Sequence, residues 1–445
     1  MAAPISQSRW VTARRAVGIF FPQRESLKLD GHGYSPSILH RILHMVVVTG
    51  SYEDAATSLS VSSELSISSR EVNKLATAIG TEMAGDRDSR TEQYVAQPLP
   101  RKATKVDVCP DLAAIFCDGG RMRTRREGQG TGVHEPHWRE TKNAGFHRMQ
   151  SQSFTEDPQP DVPQCFRDQA YVEKLVNGLK SLKNEGREEE TDAGEPSGET
   201  DTSASTNAGT TSAWQPKTLF RTCISSLADS KTFGPMMATE ADRRGFFTAA
   251  KQAFLGDGLA YNWTIQKRWF PSFTPIADFV HVVEYVYTTA KAIHPEVAPR
   301  WQQYLAWATA CWQGRVGDVI EELRQWQARL GPLVKGQPPP DGDPRSILQS
   351  TVTYLTNNLP RMDYAHYRRN GLPVTSSQAE SLVKQISKRV KGTEKFFNDG
   401  RSGEAILQLR AAILCDDTRL ETWIRTRPIS PFSPRCRDPN NKISA

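Results

Sequence analysis

The chain lacks any stretch of about 18 consecutive apolar residues, the length a helix needs to cross a hydrocarbon core, so no membrane span is expected. Its first residues, MAAPISQSRWVTARRAVGIFF, include basic side chains but no apolar core followed by a small-residue cleavage site. No signal peptide is expected from them. Cysteine is sparse, with seven among 445 residues, at 109, 117, 165, 223, 311, 415 and 436. No two of them form a Cys-x-x-Cys. An odd, scattered set argues against a zinc ribbon and a disulfide framework, and points to reduced thiols in a cytosolic protein. His134-x-x-His137 has Pro136 inside it and no cysteine nearby, so it makes a poor metal pair.

What is present is length, charge and pattern. The chain is long enough for a sizeable core and for two to four structural units. Its formal charge of +6 is unevenly placed. Residues 184–213 hold eight acids and one base, a local −7 that leaves +13 on the rest. A basic body with an acidic tether suits a polyanionic partner, although ordinary surface charge would give the same total. The segment 184–213 has no apolar periodicity and reads as disordered.

The stretch Phe254–Tyr287 organises the reading. The apolar run Ala253-Phe254-Leu255 ends in Gly256-Asp257-Gly258, and a second, Thr274 to Ala277, leads into Asp278-Phe279-Val280-His281 and a helical pattern. A carboxylate between glycines at a strand end is open to a ligand, because glycine lets backbone or ligand come close. A turn residue would look the same. Upstream, Leu112-Ala113-Ala114-Ile115-Phe116-Cys117 reads as a buried strand that ends in Asp118-Gly119-Gly120-Arg121. His137 to Met149 supplies a neighbouring strand. Order resumes near Trp214, with a helix expected through about Phe247.

The N-terminal third is helical. Ile38, Leu39, Ile42, Leu43, Val46 and Val47 recur at helical spacing. Ser51 caps a second helix, and Ser68 with Glu71 forms a capping box for a third. Two short helices joined by a small-residue turn outline a helix-turn-helix, or a plain helical hairpin. As a DNA reader, the second of that pair would offer Arg70, Asn73 and Lys74 on its exposed face. Residues 85–105 read as a linker. From His281 to about 370 the pattern is helical, and its tryptophans read as core rather than as base-stacking platforms. Near the C-terminus, Pro373-Val374-Thr375-Ser376-Ser377-Gln378-Ala379-Glu380 opens a helix with Lys384, Lys388 and Arg389 on a basic face. Ser377-x-x-Glu380 is also an ordinary capping box.

Asp118, Asp257 and Glu380 together are the chemical signal. Two-metal phosphoryl transfer needs carboxylate oxygens gathered around hard divalent cations. With this set the chain resembles the DDE transposases of bacterial insertion sequences. The resemblance rests on DGGR at 118–121, WRETK at 138–142, LGDG at 255–258, DFVH at 278–281 and LPVTSSQAES at 372–381. RVKGTEKFF at 389–397, GEAILQLRAAIL at 403–414 and the upstream FFPQRESLKLDGHGYSPS are similar too. DFVH matches the C/D-x-x-H signature shared with Mutator-like elements, which places Asp278 and His281 among the signature residues. An interval of 123 residues separates Asp257 from Glu380, which suits the all-helical insertion of such proteins.

The resemblance implies an α/β fold: an RNase H-like mixed sheet flanked by helices, interrupted by an all-helical insertion and preceded by a helix-turn-helix-like domain. The corresponding divisions are 1–105, 106–289 (with the acidic insert at 184–213), 290–370 and 371–445. It implies that Asp118, Asp257 and Glu380 are catalytic and hold Mg²⁺ or Mn²⁺. It further implies hydrolysis at element ends, strand transfer into target DNA, and a homo-oligomer acting on DNA in the bacterial cytoplasm. An RNase H-like nuclease that cuts without joining, or a regulator with a dead catalytic fold, would share parts of this pattern. The paired N-terminal helices and the insertion argue against the first, and the presence of all three carboxylates argues against the second.

Overall fold

The computed structural model describes residues 34–426 except 105, 107–108, 127–136, 185–212, 334–337, 377–384, 387–388, 391–396 and 398. Glu380, Lys384, Lys388, His134, Cys436 and nearly all of the acidic insert lie outside the described residues. Among those described, no helix is long and apolar enough to cross a membrane, and every cysteine is a free thiol.

Five strands make one sheet: β1 (Leu112–Thr124), β2 (His137–Gln150), β3 (Lys217–Ser226), β4 (Lys251–Gly256) and β5 (Thr274–Ala277). Their order is β3-β2-β1-β4-β5. β2 runs antiparallel to both β1 and β3, and β4 and β5 run parallel to β1. This is the RNase H-like arrangement. The central strand is apolar without alternation from Leu112 to Cys117 because both its faces are covered.

Two strands differ from the sequence expectation. β1 continues seven residues past Cys117, because β2 keeps pairing with it down to Thr124–His137, whereas β4 stops at Gly256. Asp118 therefore lies within a long strand, at the point where β1 loses its parallel neighbour. The helix expected from Trp214 to Phe247 is β3 in its first half. KTLFRTCISS is rich in β-branched and aromatic residues and pairs with β2. Helix begins only after Asp229, whose side chain accepts the Thr232 N–H at 2.8 Å.

Before the sheet come α1 (Pro36–Val48), α2 (Tyr52–Ser63) and α3 (Ser69–Val95). Ser51 and Ser68 cap α2 and α3 as their spacing suggests. The linker expected at 85–105 is instead helical as far as Val95. The second half of α3 has its own packing: Ala84, Thr91 and Tyr94 are buried, and Arg87 pairs with Glu404 at 2.5 Å. Around the sheet lie α4 (Gln169–Asn184), α5 (Ser230–Arg243) and α6 (Ala260–Trp269). The helical stretch after β5 comprises α7 (Phe279–Ile293), α8 (Val297–Trp312), α9 (Val316–Leu330), α10 (Pro344–Asn358) and α11 (Tyr364–Arg369), of which α8 to α11 fall in the 290–370 interval. Trp307 and Trp312 are buried within it, as core residues. The chain returns to the sheet through α12 (Gly400–Ile413) and α13 (Arg419–Thr426).

The N-terminal helices share a single core with α12 and α13, continuous with Met122 and Cys223 of the sheet. At its centre α3 and α12 cross at a glycine: a Cβ on Gly80 would lie 2.3 Å from the Ala405 carbonyl oxygen. Gly80→Ala therefore forces the helices apart and is expected to cost about 1–3 kcal/mol in urea unfolding. Gly85→Ala, on the same helix with nothing within 4 Å, should stabilise by about 0.5–1 kcal/mol.

Candidate active site

The register of the sheet brings three aspartates side by side. Cys117 pairs with Gly256, and Gly256 with Ala277. The next residue on each chain is Asp118, Asp257 and Asp278. All three stand at one end of the parallel half of the sheet, where an α/β fold presents its ligand crevice.

Their surroundings differ. Asp118 Oδ1 accepts the Gly119 N–H at 2.7 Å. Its carboxyl is pushed up to about 6, first by burial and then by the negative charge of Asp257. Asp257 Oδ1 accepts from the Leu259 N–H at 2.9 Å and from Asn262 Nδ2 at 2.7 Å. Asp278 is 1% exposed and caps α7, with Oδ1 accepting from the Val280 N–H at 3.2 Å and the Ser376 N–H at 3.0 Å. The Ser376 hydroxyl bonds Oδ2. Burial raises the Asp278 carboxyl, against the pull of His281 and the bonds from Ser376.

His281 lies one helical turn beyond Asp278, paired with Glu284 at 3.5 Å. Burial alone would lower its pKa, but the Glu284 bond and then the charges of Asp278, Asp257 and Asp118 bring it up to about 10. It is therefore an imidazolium at neutral pH and offsets part of the carboxylate charge. Lys142, opposite Gly119 on β2, adds a second buried cation that pairs with Glu140, its ammonium 4.1 Å from the Tyr261 ring centre.

Among the described residues, no three His, Cys, Asp or Glu side chains are close enough together to hold a metal ion. Glu380 is outside them. The described chain before it ends at Ser376, which is fastened to Asp278.

Arg70, Asn73 and Lys74 are exposed in the first turns of α3, and Lys74 lies 3.7 Å from Glu71. Arg389 is not on an exposed basic face as the sequence suggested. It is 4% exposed, donates to the Val46 carbonyl at 2.7 Å and sits 5.0 Å from the Tyr52 ring centre. It shares a core with Ile386 and Val390, where it satisfies a carbonyl in the last turn of α1.

A titration prediction follows from Asp118. Its folded-state pKa is raised, so its favourable contribution is complete below the unfolded value of about 4 and is lost as pH rises through about 6. Without divalent cations, Asp118→Asn should melt higher than wild type above pH 6. The difference between the two proteins should shrink on acidification. Melting curves in chelator at pH 5 and pH 7.5 measure it.

No family model matches the chain, and no curated protein matches it. Among solved structures, the Drosophila P element transposase strand transfer complex is similar at 11% sequence identity, with a TM-score of 0.32, over 90% of this chain and 97% of that chain.

Proposed function

We propose that the chain is a DDE-type DNA transposase whose catalytic carboxylates are Asp118, Asp257 and Glu380. The observation that carries this reading is the placement of Asp118 and Asp257 side by side on β1 and after β4 of an RNase H-like sheet. The donor chemistry fits a hard divalent cation, since the groups are carboxylate oxygens, and Asp118 is already raised by burial and then by the charge of Asp257. Mg²⁺ or Mn²⁺ held by the three carboxylates would supply Lewis-acid activation and charge stabilisation at the phosphate. Asp278 fits that role less well, because both its oxygens already accept protein hydrogen bonds.

The chain's own groups perform the positioning. The Gly119 N–H aims Asp118, and Asn262 aims Asp257. Asp278 ties Ser376, four residues before Glu380, to the end of β5. Water hydrolyses a phosphodiester at the element's end, and the freed 3′-hydroxyl attacks target DNA. Arg70, Asn73 and Lys74 contact the terminal repeats, with Lys384 and Lys388 as further basic contacts.

The test uses purified chain, Mg²⁺ and a labelled duplex carrying the DNA that flanks its gene. Cleavage followed by joining to a target plasmid supports the proposal; cleavage without joining would make the chain a nuclease instead. Binding to the same duplex should weaken with salt. Replacing Arg70 and Lys74 by Ala should flatten the slope of log affinity against log salt by about 0.9 for each phosphate that is no longer neutralised. An unchanged slope would remove α3 from the interface.

A further inference from the structure

We infer that the helical insertion positions Asp257, through Tyr354 and Asn358 of α10. The inference rests on the proposal that Asp257 holds a divalent cation.

Asp257 lies in a Gly-Asp-Gly loop between β4 and α6, and two separate parts of the fold hold it. The start of α6 takes one side-chain oxygen: Oδ1 accepts from the Leu259 N–H and from Asn262, which is fully buried. Among the described residues Oδ2 accepts no protein hydrogen bond, so it is the oxygen open to a cation. The insertion takes the loop's backbone. The Tyr354 hydroxyl donates to the Asp257 carbonyl at 3.1 Å, and Asn358 Nδ2 donates to the Gly258 carbonyl at 3.3 Å.

The fit is tight. Gly258 has φ +97°, and a Cβ there would lie 2.4 Å from Tyr354 Cε2 and 2.9 Å from Asn358 Nδ2. The ring therefore rests on the loop's main chain where only glycine fits.

Tyr354 and Asn358 are themselves fixed. The Tyr354 ring stacks on Tyr285 of α7, with centroids 3.9 Å apart and planes 13° from parallel. Asn358 is buried, with Nδ2 also donating to the Tyr354 carbonyl at 3.0 Å and Oδ1 accepting from Trp263 Nε1 at 2.8 Å. The side chains come from residues 97 and 100 positions beyond the carbonyls they bond. The insertion thus does more than add bulk between the second and third carboxylates. It sets the backbone torsions of one of them, and a ligand held by its first shell depends on such outer support.

The test is Mn²⁺ binding to the full-length chain, read by water-proton relaxation, alongside melting curves in chelator. Four variants are compared with wild type. Asp257→Asn should abolish most of the binding. Tyr354→Phe removes only the hydroxyl and keeps the ring, and should raise the Mn²⁺ dissociation constant about fivefold, as expected for one lost hydrogen bond. Asn358→Ser is a second probe of the same loop and should act in the same direction. Tyr304→Phe removes a comparable bond elsewhere in the insertion, from the Tyr304 hydroxyl to the Phe166 carbonyl at 2.9 Å. It should leave Mn²⁺ affinity unchanged.

Loss of affinity in Tyr354→Phe and Asn358→Ser but not in Tyr304→Phe supports the inference. Wild-type affinity in Tyr354→Phe, with binding lost in Asp257→Asn, overturns the positioning role while keeping the metal site. Equal losses in Tyr354→Phe and Tyr304→Phe reduce the effect to general loosening and also overturn it. Wild-type binding in Asp257→Asn removes the metal role of Asp257 and the inference with it.

Discussion

Asp257→Asn should lose DNA cleavage and joining by on the order of 10³-fold or more, with folding and duplex binding retained. Asp118→Asn should behave alike, and the double variant should be little worse than either, since ligands of one site act as a unit. Asp118→Asn should also be more stable than wild type in chelator above pH 6, because it removes a carboxyl held at about 6 by burial and by Asp257. Gain of stability with loss of activity is the mark of a group kept for chemistry rather than for folding. Glu380→Gln separates two roles. As a member of the Ser377-x-x-Glu380 capping box, Gln serves nearly as well as Glu, and any loss stays within about 0.5–2 kcal/mol of stability. As a third carboxylate, the same change removes an anionic oxygen donor and should cost as much activity as Asp257→Asn. Cleavage by Glu380→Gln at the wild-type rate would return Glu380 to capping alone.

Arg368→Met should cost about 3–5 kcal/mol in urea unfolding, the largest stability effect expected of a single exchange here. Arg368 is fully buried at the end of the insertion. Its Nε donates to Asp157 Oδ1 at 2.8 Å, and one terminal nitrogen bonds both Asp157 Oδ2 and the Trp312 carbonyl. Its guanidinium carbon lies 3.9 Å from the Trp312 ring centre. Removing it strands Asp157 beside a buried seam where the loop after β2 meets the insertion. Phe154 N–H to the Arg369 carbonyl at 2.7 Å and Ser151 to the Gly371 carbonyl at 2.7 Å belong to that seam. Asp157→Asn in the same protein should recover part of the loss, because it removes the unpaired charge. Additive losses in the double variant would contradict a coupled pair.

Sequence patterns carried the local part of this architecture. The capping serines at 51 and 68, the apolar runs before Asp118 and Asp257, the short strand before Asp278 and the buried tryptophans of the insertion all follow from nearest-neighbour chemistry and spacing. The resemblance supplied the RNase H-like arrangement that the sheet order bears out. What escaped depends on partners distant in the chain. β1 extends to Thr124 because β2 stays beside it, and β3 is a strand because it has β2 to pair with. α3 runs to Val95 because α12 covers it, and Arg389 turns inward because the end of α1 offers it a carbonyl. Tyr354 and Asn358 carry no motif at all, and their position shows only when α10 lies across the Gly-Asp-Gly loop.

The most direct test of the carboxylate site is an anomalous-scattering map from crystals of the chain grown with Mn²⁺ and an element-end duplex. The account expects Mn²⁺ peaks bound by Asp118 and Asp257 oxygens, with Glu380 completing the site and the scissile phosphate against them. Mn²⁺ bound elsewhere, or a scissile phosphate remote from the ends of β1 and β4, would contradict it.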